Sequence, residues 1–315
     1  MFDEKAIGSL VDKVAKKKPR RVFLQYPEGL KLSIFDISEK LERLGAEVFI
    51  SCDPCFGSCD MKDLEAKALG CDLLVHIGHT EMKLPRKTAV PAIYEDYRID
   101  IDPTHLLDEH IQALGPCESI CLVTTAQYIS AIEPAKRFLE EHGKKVYVGQ
   151  PSLAKHPGQI LGCDHSAAEP FDNMVDCFLF LGTGRFHPLG LAAKVKKTVL
   201  VLDFETSVLE NMNSERDMMV RIKTMQIEKA KEMKRFGVLV STKPGQSHPG
   251  TAEKVKKRLK GKGKDARILV MDQITPEKIL GMKIDALVNC SCPRLSEDFR
   301  QFKKPILDPE DVDRL

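Results

Sequence analysis

Asp72-Leu73-Leu74-Val75-His76-Ile77-Gly78 places an acid before, and a glycine after, a short run of apolar residues interrupted by one histidine. A run of this length, rich in branched side chains and closed by glycine, reads as a buried strand. The same outline returns at Asp176-Cys177-Phe178-Leu179-Phe180-Leu181-Gly182 and at Asp285-Ala286-Leu287-Val288-Asn289-Cys290-Ser291. Each copy is followed by another apolar stretch ending in an acid: Asp96, Asp203 and Asp308. The copies lie about 100 residues apart, beyond the roughly 20 to 50 residues of a solenoid repeat and suited to a small α/β domain used three times.

Outward from these strands, the flanking segments alternate between strand and helix patterns. Arg21 to Tyr26, Glu47 to Ile50 and Ala89 to Asp96 read as strands, with helices at about Asp3 to Lys18, Leu30 to Leu44 and Met61 to Leu69. Glu118 to Thr125, Lys145 to Gly149 and Thr198 to Asp203 read as strands around a helix from Ile129 to His142. After a long helix at about Ser214 to Arg235 come strands at Gly237 to Ser241, Ile268 to Asp272 and Pro305 to Asp308, and a helix from Thr251 to Lys260. Such alternation predicts βαβ units and mostly parallel sheets with right-handed crossovers. The expected fold is α/β, with three similar small domains (1–102, 103–204 and 205–315) in pseudo-threefold arrangement around a centre.

The 315 residues, 43% hydrophobic and 30% charged, describe a well-cored globular chain, and a net charge of +2 gives no reason to expect nucleic acid. Met1-Phe2-Asp3-Glu4-Lys5 carries acids and no apolar core, so neither a signal nor a transit peptide is expected. No apolar run reaches the length of a membrane span, so no membrane partner is expected, and a cytoplasmic location is.

In a reducing compartment ten cysteines are core residues or ligands rather than a disulfide framework. Cys71, Cys117, Cys121, Cys177 and Cys290 sit in or beside apolar runs and read as core. Cys52, Cys55, Cys59, Cys163 and Cys292 sit beside Gly, Pro or Asp in loop-like sequence and are the ligand candidates. Placed on the repeats, Cys59 falls to the first unit, Cys163 to the second and Cys292 to the third. Three thiolates meeting at the centre would suit a 4Fe-4S cluster with one open iron, or a zinc ion with a water; ligand softness alone leaves both open.

Several segments, in order along nearly the whole chain, carry a more specific signal. Gln25-Tyr26-Pro27-Glu28-Gly29-Leu30, Asp53-Pro54-Cys55-Phe56-Gly57-Ser58-Cys59-Asp60, His76-Ile77-Gly78-His79 and Thr124-Thr125-Ala126-Gln127 are joined by Gly158-Gln159-Ile160-Leu161-Gly162-Cys163, Phe186-His187-Pro188-Leu189-Gly190 and Asn289-Cys290-Ser291-Cys292-Pro293-Arg294. Together they resemble the archaeal diphthamide synthase family, the 2-(3-amino-3-carboxypropyl)histidine synthases. The resemblance implies a homodimeric transferase with three α/β domains per subunit and a 4Fe-4S cluster held by Cys59, Cys163 and Cys292. It further implies a noncanonical radical use of S-adenosylmethionine (SAM). The 3-amino-3-carboxypropyl group would pass to the imidazole C2 of one histidine on translation elongation factor 2, the first step of diphthamide biosynthesis, with an electron donor of unknown identity.

Beside that reading, Gly182, Gly184, Arg185 and His187 follow a strand and form a candidate SAM loop, to which Gln246 adds from a second post-strand loop. His76 and His79 read as packing or a polar wall, Met218, Met219, Ile222 and Met225 as a packing face, and the basic run Lys254 to Lys264 as a solvated helix end. The rival readings are a quinolinate-synthase-like dehydratase with an open-iron cluster, a zinc-stabilised scaffold without catalysis, and a non-catalytic subunit of a heterodimer. The last is disfavoured because all three cysteines are present.

Overall fold

The computed structural model describes residues 4–315. Asp3, where the first helix was expected to begin, lies outside the described residues, as do Met1 and Phe2 of the N-terminal reading. The first unit comprises α1 (Glu4–Lys17), β1 (Arg21–Gln25), α2 (Ile34–Glu42), β2 (Glu47–Ile50), α3 (Asp63–Ala68), β3 (Leu73–Ile77) and β4 (Ala92–Glu95). The second comprises α4 (Thr104–His110), β5 (Ser119–Thr124), α5 (Ile132–Glu141), β6 (Lys145–Tyr147), β7 (Cys177–Gly182), α6 (Phe186–Ala192), β8 (Thr198–Asp203) and β9 (Val208–Asn211). The third comprises α7 (Asn213–Lys231), β10 (Arg235–Ser241), α8 (Pro249–Gly261), β11 (Asp265–Met271), β12 (Ala286–Asn289), α9 (Phe299–Phe302) and β13 (Ile306–Leu307).

The three sheets run β2-β1-β3-β4, β6-β5-β7-β8-β9 and β11-β10-β12-β13. In each, the second strand of the unit lies at one edge, followed by the first, third and fourth, so the repetition seen in the sequence is a repetition of topology. All these neighbours are parallel except β8 and β9, which form an antiparallel hairpin.

A parallel sheet must be covered on both faces, and side chains of one strand alternate between them. Val22 and Leu24 of β1 enter a cluster with Leu10 of α1 and Ile37 of α2, whereas Phe23 enters the opposite cluster with Met61 and Ala66 of α3. Phe178 and Phe180 of β7 and Phe236 of β10 are fully buried in the corresponding cores. Each such side chain is worth about 1.5–3 kcal/mol against leaving it in water.

The repeated acid now has a physical role. Asp72 accepts the backbone N–H of Arg21 at 3.0 Å, Asp176 that of Ser119 at 2.8 Å and Asp285 that of Arg235 at 2.9 Å. Each carboxylate closes an otherwise orphaned donor at the start of the first strand from the start of the third, holding the two in register.

Three features differ from what the sequence alone predicts. The helix expected from Leu30 opens as a 3-10 segment, Glu28–Ser33, before α2. The short α4, the Pro188-containing α6 and the half-polar β9 lack the periodicity that marks longer elements. The boundary drawn at 204/205 falls inside the β8–β9 hairpin, and the second sheet extends to Asn211. Among the described residues no helix is long and apolar enough to cross a membrane.

Candidate metal centre

Loops leaving the C-terminal ends of parallel strands are where α/β sheets bind ligands. Here loops from all three units line a single cavity of about 1090 Å³ whose walls include Cys59, Cys163 and Cys292. Cys59 and Cys163 lie beyond the second strand of their units, β2 and β6, whereas Cys292 lies beyond the third, β12. The convergence of the three is therefore not a strict symmetry of loops.

Cys59 is fixed from the third unit. Gly245 N–H donates to the Cys59 carbonyl at 2.9 Å, and Gln246 Nε2 donates to Cys59 Sγ at 3.2 Å. A Cβ on Gly245 would lie 2.5 Å from Cys59 Cβ and 2.6 Å from its Cα, so only glycine lets the two loops approach this closely. Ser291 Oγ, one residue before Cys292, lies 3.4 Å from Gln246 Oε1.

Burial pushes all three thiols above their ordinary range. For Cys163 the value reaches about 12, by desolvation in the cavity and then by repulsion from Cys59 and Cys292. Three thiols that oppose one another's ionisation are a set whose protons leave when a cation arrives. They are soft donors mounted on three separate sheets, and no fourth cysteine is among the described residues that line the cavity. The set fits a metal cluster with one position unclaimed by protein.

The walls are tied by one buried ion pair and one whose acid is half exposed. Lys243 Nζ and Asp60 Oδ2 pair at 2.5 Å with side chains 5% and 0% exposed, and Lys62 Nζ pairs with Asp272 Oδ2 at 2.6 Å, both between first and third units. First and second units meet at Thr80. Its Oγ1 accepts Gln159 Nε2 at 2.8 Å, and its carbonyl accepts a short hydrogen bond from Ser58 Oγ. Second and third meet where the Arg294 guanidinium lies 4.3 Å from the centre of the Phe186 ring.

Of the candidate SAM residues, His187 and Gln246 line the cavity, while Gly182, Gly184 and Arg185 are absent from its lining. Arg185 is held at the outside by Glu210, at 2.9 Å through both Nε and Nη2, and Gly184 N–H donates to Asp203. His187 is held at about 4 by burial and then by Arg294 and His165, so it is neutral at physiological pH. Cys71, Cys121, Cys177 and Cys290 are buried in the hydrophobic clusters, and Cys52 is exposed.

Sequence reasoning did not single out Arg294 or Lys243 as site residues. Arg294 is 8% exposed, lines the cavity, reaches Glu297 at 2.8 Å and leaves its buried Nε without a protein partner. A long cation buried beside a strand-end loop is the signal that could have found it, because arginine is rarely buried without an anion to meet.

Residues 26–314 match the family model described as "Putative diphthamide synthesis protein". The chain is 37% identical to the 2-(3-amino-3-carboxypropyl)histidine synthase of Pyrococcus horikoshii, over 100% of this chain and 91% of that protein. It is 32% identical to 2-(3-amino-3-carboxypropyl)histidine synthase subunit 1 of Homo sapiens, over 96% of this chain and 69% of that protein. Its fold superposes on the crystal structure of Dph2 from Pyrococcus horikoshii with a 4Fe-4S cluster at a TM-score of 0.91, with 36% identity over 98% of this chain and 89% of that one.

Proposed function

The chain belongs to the diphthamide synthesis family, and on that premise we propose that it is a 2-(3-amino-3-carboxypropyl)histidine synthase acting on translation elongation factor 2. The observation that carries this reading is the meeting of Cys59, Cys163 and Cys292, one from each unit, at a single cavity. These three would hold a 4Fe-4S cluster and leave one iron for SAM. Bound there, the cluster would supply the electron that opens the sulfonium on its aminocarboxypropyl side; the fragment would replace the hydrogen at the imidazole C2, which leaves as a proton with return of one electron, and methylthioadenosine would remain.

The protein's own work is placement. Gln246, donating to Cys59 Sγ, stabilises charge on that thiolate and fixes its direction. Arg294, cationic and incompletely paired, faces the cavity as the partner for the SAM carboxylate, with neutral His187 beside it. Salt bridges between the first and third units, with the Gln159–Thr80 hydrogen bond and the Arg294–Phe186 contact to the second, tie the three loops together, which lets the site choose one carbon–sulfur bond by orientation rather than by intrinsic reactivity.

The protein substrate, a homodimeric state and an external electron donor complete the reading, in the cytoplasm where elongation factor works. Exposed Leu32 (95%) and Phe35 (72%) on the first unit offer apolar surface for a partner. The test is anaerobic incubation with SAM, dithionite and elongation factor 2. Methylthioadenosine together with a mass gain on one histidine supports the proposal; neither product from cluster-loaded protein contradicts it.

A further inference from the structure

Next to the three-thiol centre lies a second group of donors. Cys55 Sγ, a His76 ring nitrogen and a His79 ring nitrogen all fall within 4.8 Å of one another. Cys55 is 3% exposed and His76 fully buried, and His79 lines the cavity.

The proton positions in this group are dictated by Gln25. Its Nε2 donates to the Asp60 carbonyl at 2.5 Å, and its Oε1 accepts the Lys62 N–H at 3.2 Å, so the amide has one orientation. His76 Nδ1 lies 3.4 Å from that same Oε1 and must therefore be the protonated nitrogen. His76 Nε2 is left with a lone pair, aimed at His79 Nδ1 3.0 Å away. An imidazole whose far N–H is anchored to an amide oxygen is the arrangement that orients a metal-binding histidine.

The internal repeat points the same way. Asp72 and Asp285 open equivalent strands, β3 pairing with β1 as β12 pairs with β10. Counting from these acids, His76 corresponds to Asn289 and His79 to Cys292. The position that supplies a thiol to the cavity in the third unit supplies an imidazole in the first.

We infer that Cys55, His76 and His79 form a second metal site, for a zinc-class divalent cation, separate from the three-cysteine centre. One thiolate and two imidazoles suit zinc, and three protein ligands leave a fourth position toward the cavity. Tetrahedral zinc would set its ligand atoms about 3.3–3.6 Å apart, given bonds of about 2.0–2.3 Å. The two imidazole nitrogens, 3.0 Å apart, would widen by a few tenths of an ångström, and Cys55 Sγ, within 4.8 Å of both, would close by at most about 1.5 Å. Binding replaces the His79 Nδ1–H to His76 Nε2 hydrogen bond, the His79 proton passing to its Nε2, displaces the Cys55 thiol proton to solvent, and ties the loop that carries Cys59 to the end of β3.

The test is zinc content by mass spectrometry on anaerobically purified, cluster-loaded protein, after one equivalent of Zn²⁺ and dialysis, beside Cys55→Ala and His76→Gln. About one zinc in the parent protein and at least tenfold weaker retention in both variants is the expected result. No zinc in the parent, or equal zinc in parent and variants, overturns the site and leaves a hydrogen-bonded histidine pair. To exclude binding at the cluster thiols, and in case His76→Gln does not fold, Co²⁺ is added to a Cys59→Ser, Cys163→Ser, Cys292→Ser chain of unchanged circular dichroism. Thiolate-to-cobalt absorption that vanishes on adding Cys55→Ala supports the site; absorption that is absent, or indifferent to Cys55→Ala, overturns it.

Discussion

Gln246 Nε2 stands 3.2 Å from Cys59 Sγ, a hydrogen bond across 187 positions of sequence that joins the third unit to the first at the thiol itself. Hydrogen bonds to cluster sulfurs are among the levers that set reduction potential. Gln246→Leu should therefore keep the iron of the parent protein but shift its potential downward, so that a smaller fraction of the cluster is reduced at a given solution potential. Redox titration monitored by paramagnetic resonance checks this, and an unchanged potential would count against the role.

The Lys243–Asp60 pair should behave as a buried ion pair. Asp60→Asn leaves Lys243 without its counter-charge at a site 5% exposed and should cost about 3–5 kcal/mol. Adding Lys243→Met should recover much of that loss. Denaturant unfolding of the two variants measures the difference, and equal destabilisation by single and double variants would contradict the account.

Asp63 makes a pH-dependent contribution. Burial works against its ionisation, but the Arg86 guanidinium, at 2.6 and 2.7 Å, and the Ala89 N–H, at 2.5 Å, hold its carboxyl below the usual carboxylate range. A carboxyl with a depressed folded-state pKa gives stability that is present above its unfolded value of about 3.9 and is lost as pH falls through the folded value. Asp63→Asn should cost about 2 kcal/mol at pH 7. The gap from the parent protein should close below about pH 4. Thermal melts across pH 3 to 8 test it; a gap independent of pH would mean that charge is not the cause.

Arg294→Gln removes the incompletely paired cation of the cavity wall. Iron content should be unchanged while KM for SAM rises about tenfold, the scale of one lost charge-assisted hydrogen bond. Loss of iron instead would place Arg294 in support of Cys292.

How far the sequence foretells this structure depends on the distance over which each signal acts. Asp72, Asp176 and Asp285 are legible because each acts on a neighbouring strand of its own unit, so the pattern repeats with the fold. Arg185 sits in a loop whose sequence suggests a ligand, yet Glu210 of the β9 hairpin captures it, and that hairpin is too short and polar to read in advance. Lys243 with Asp60, and Gln25 with His76, depend on how whole units or strands pack; no local periodicity encodes such pairs. Loops beyond strand ends mark Cys52, Cys55, Cys59, Cys163 and Cys292 as candidates, and the choice of Cys59, Cys163 and Cys292 among them rests on the family resemblance; the structure lines one cavity with these three, although Cys292 follows a different strand of its unit from the other two.

The central claim is that three thiols, one per unit, hold one iron–sulfur cluster. It is tested most directly by iron and sulfide analysis of anaerobically purified protein beside Cys59→Ala, Cys163→Ala and Cys292→Ala. About four irons and four sulfides per chain, lost in each variant, is the predicted result. Iron that survives all three substitutions, or a colourless parent protein holding only zinc, would contradict it.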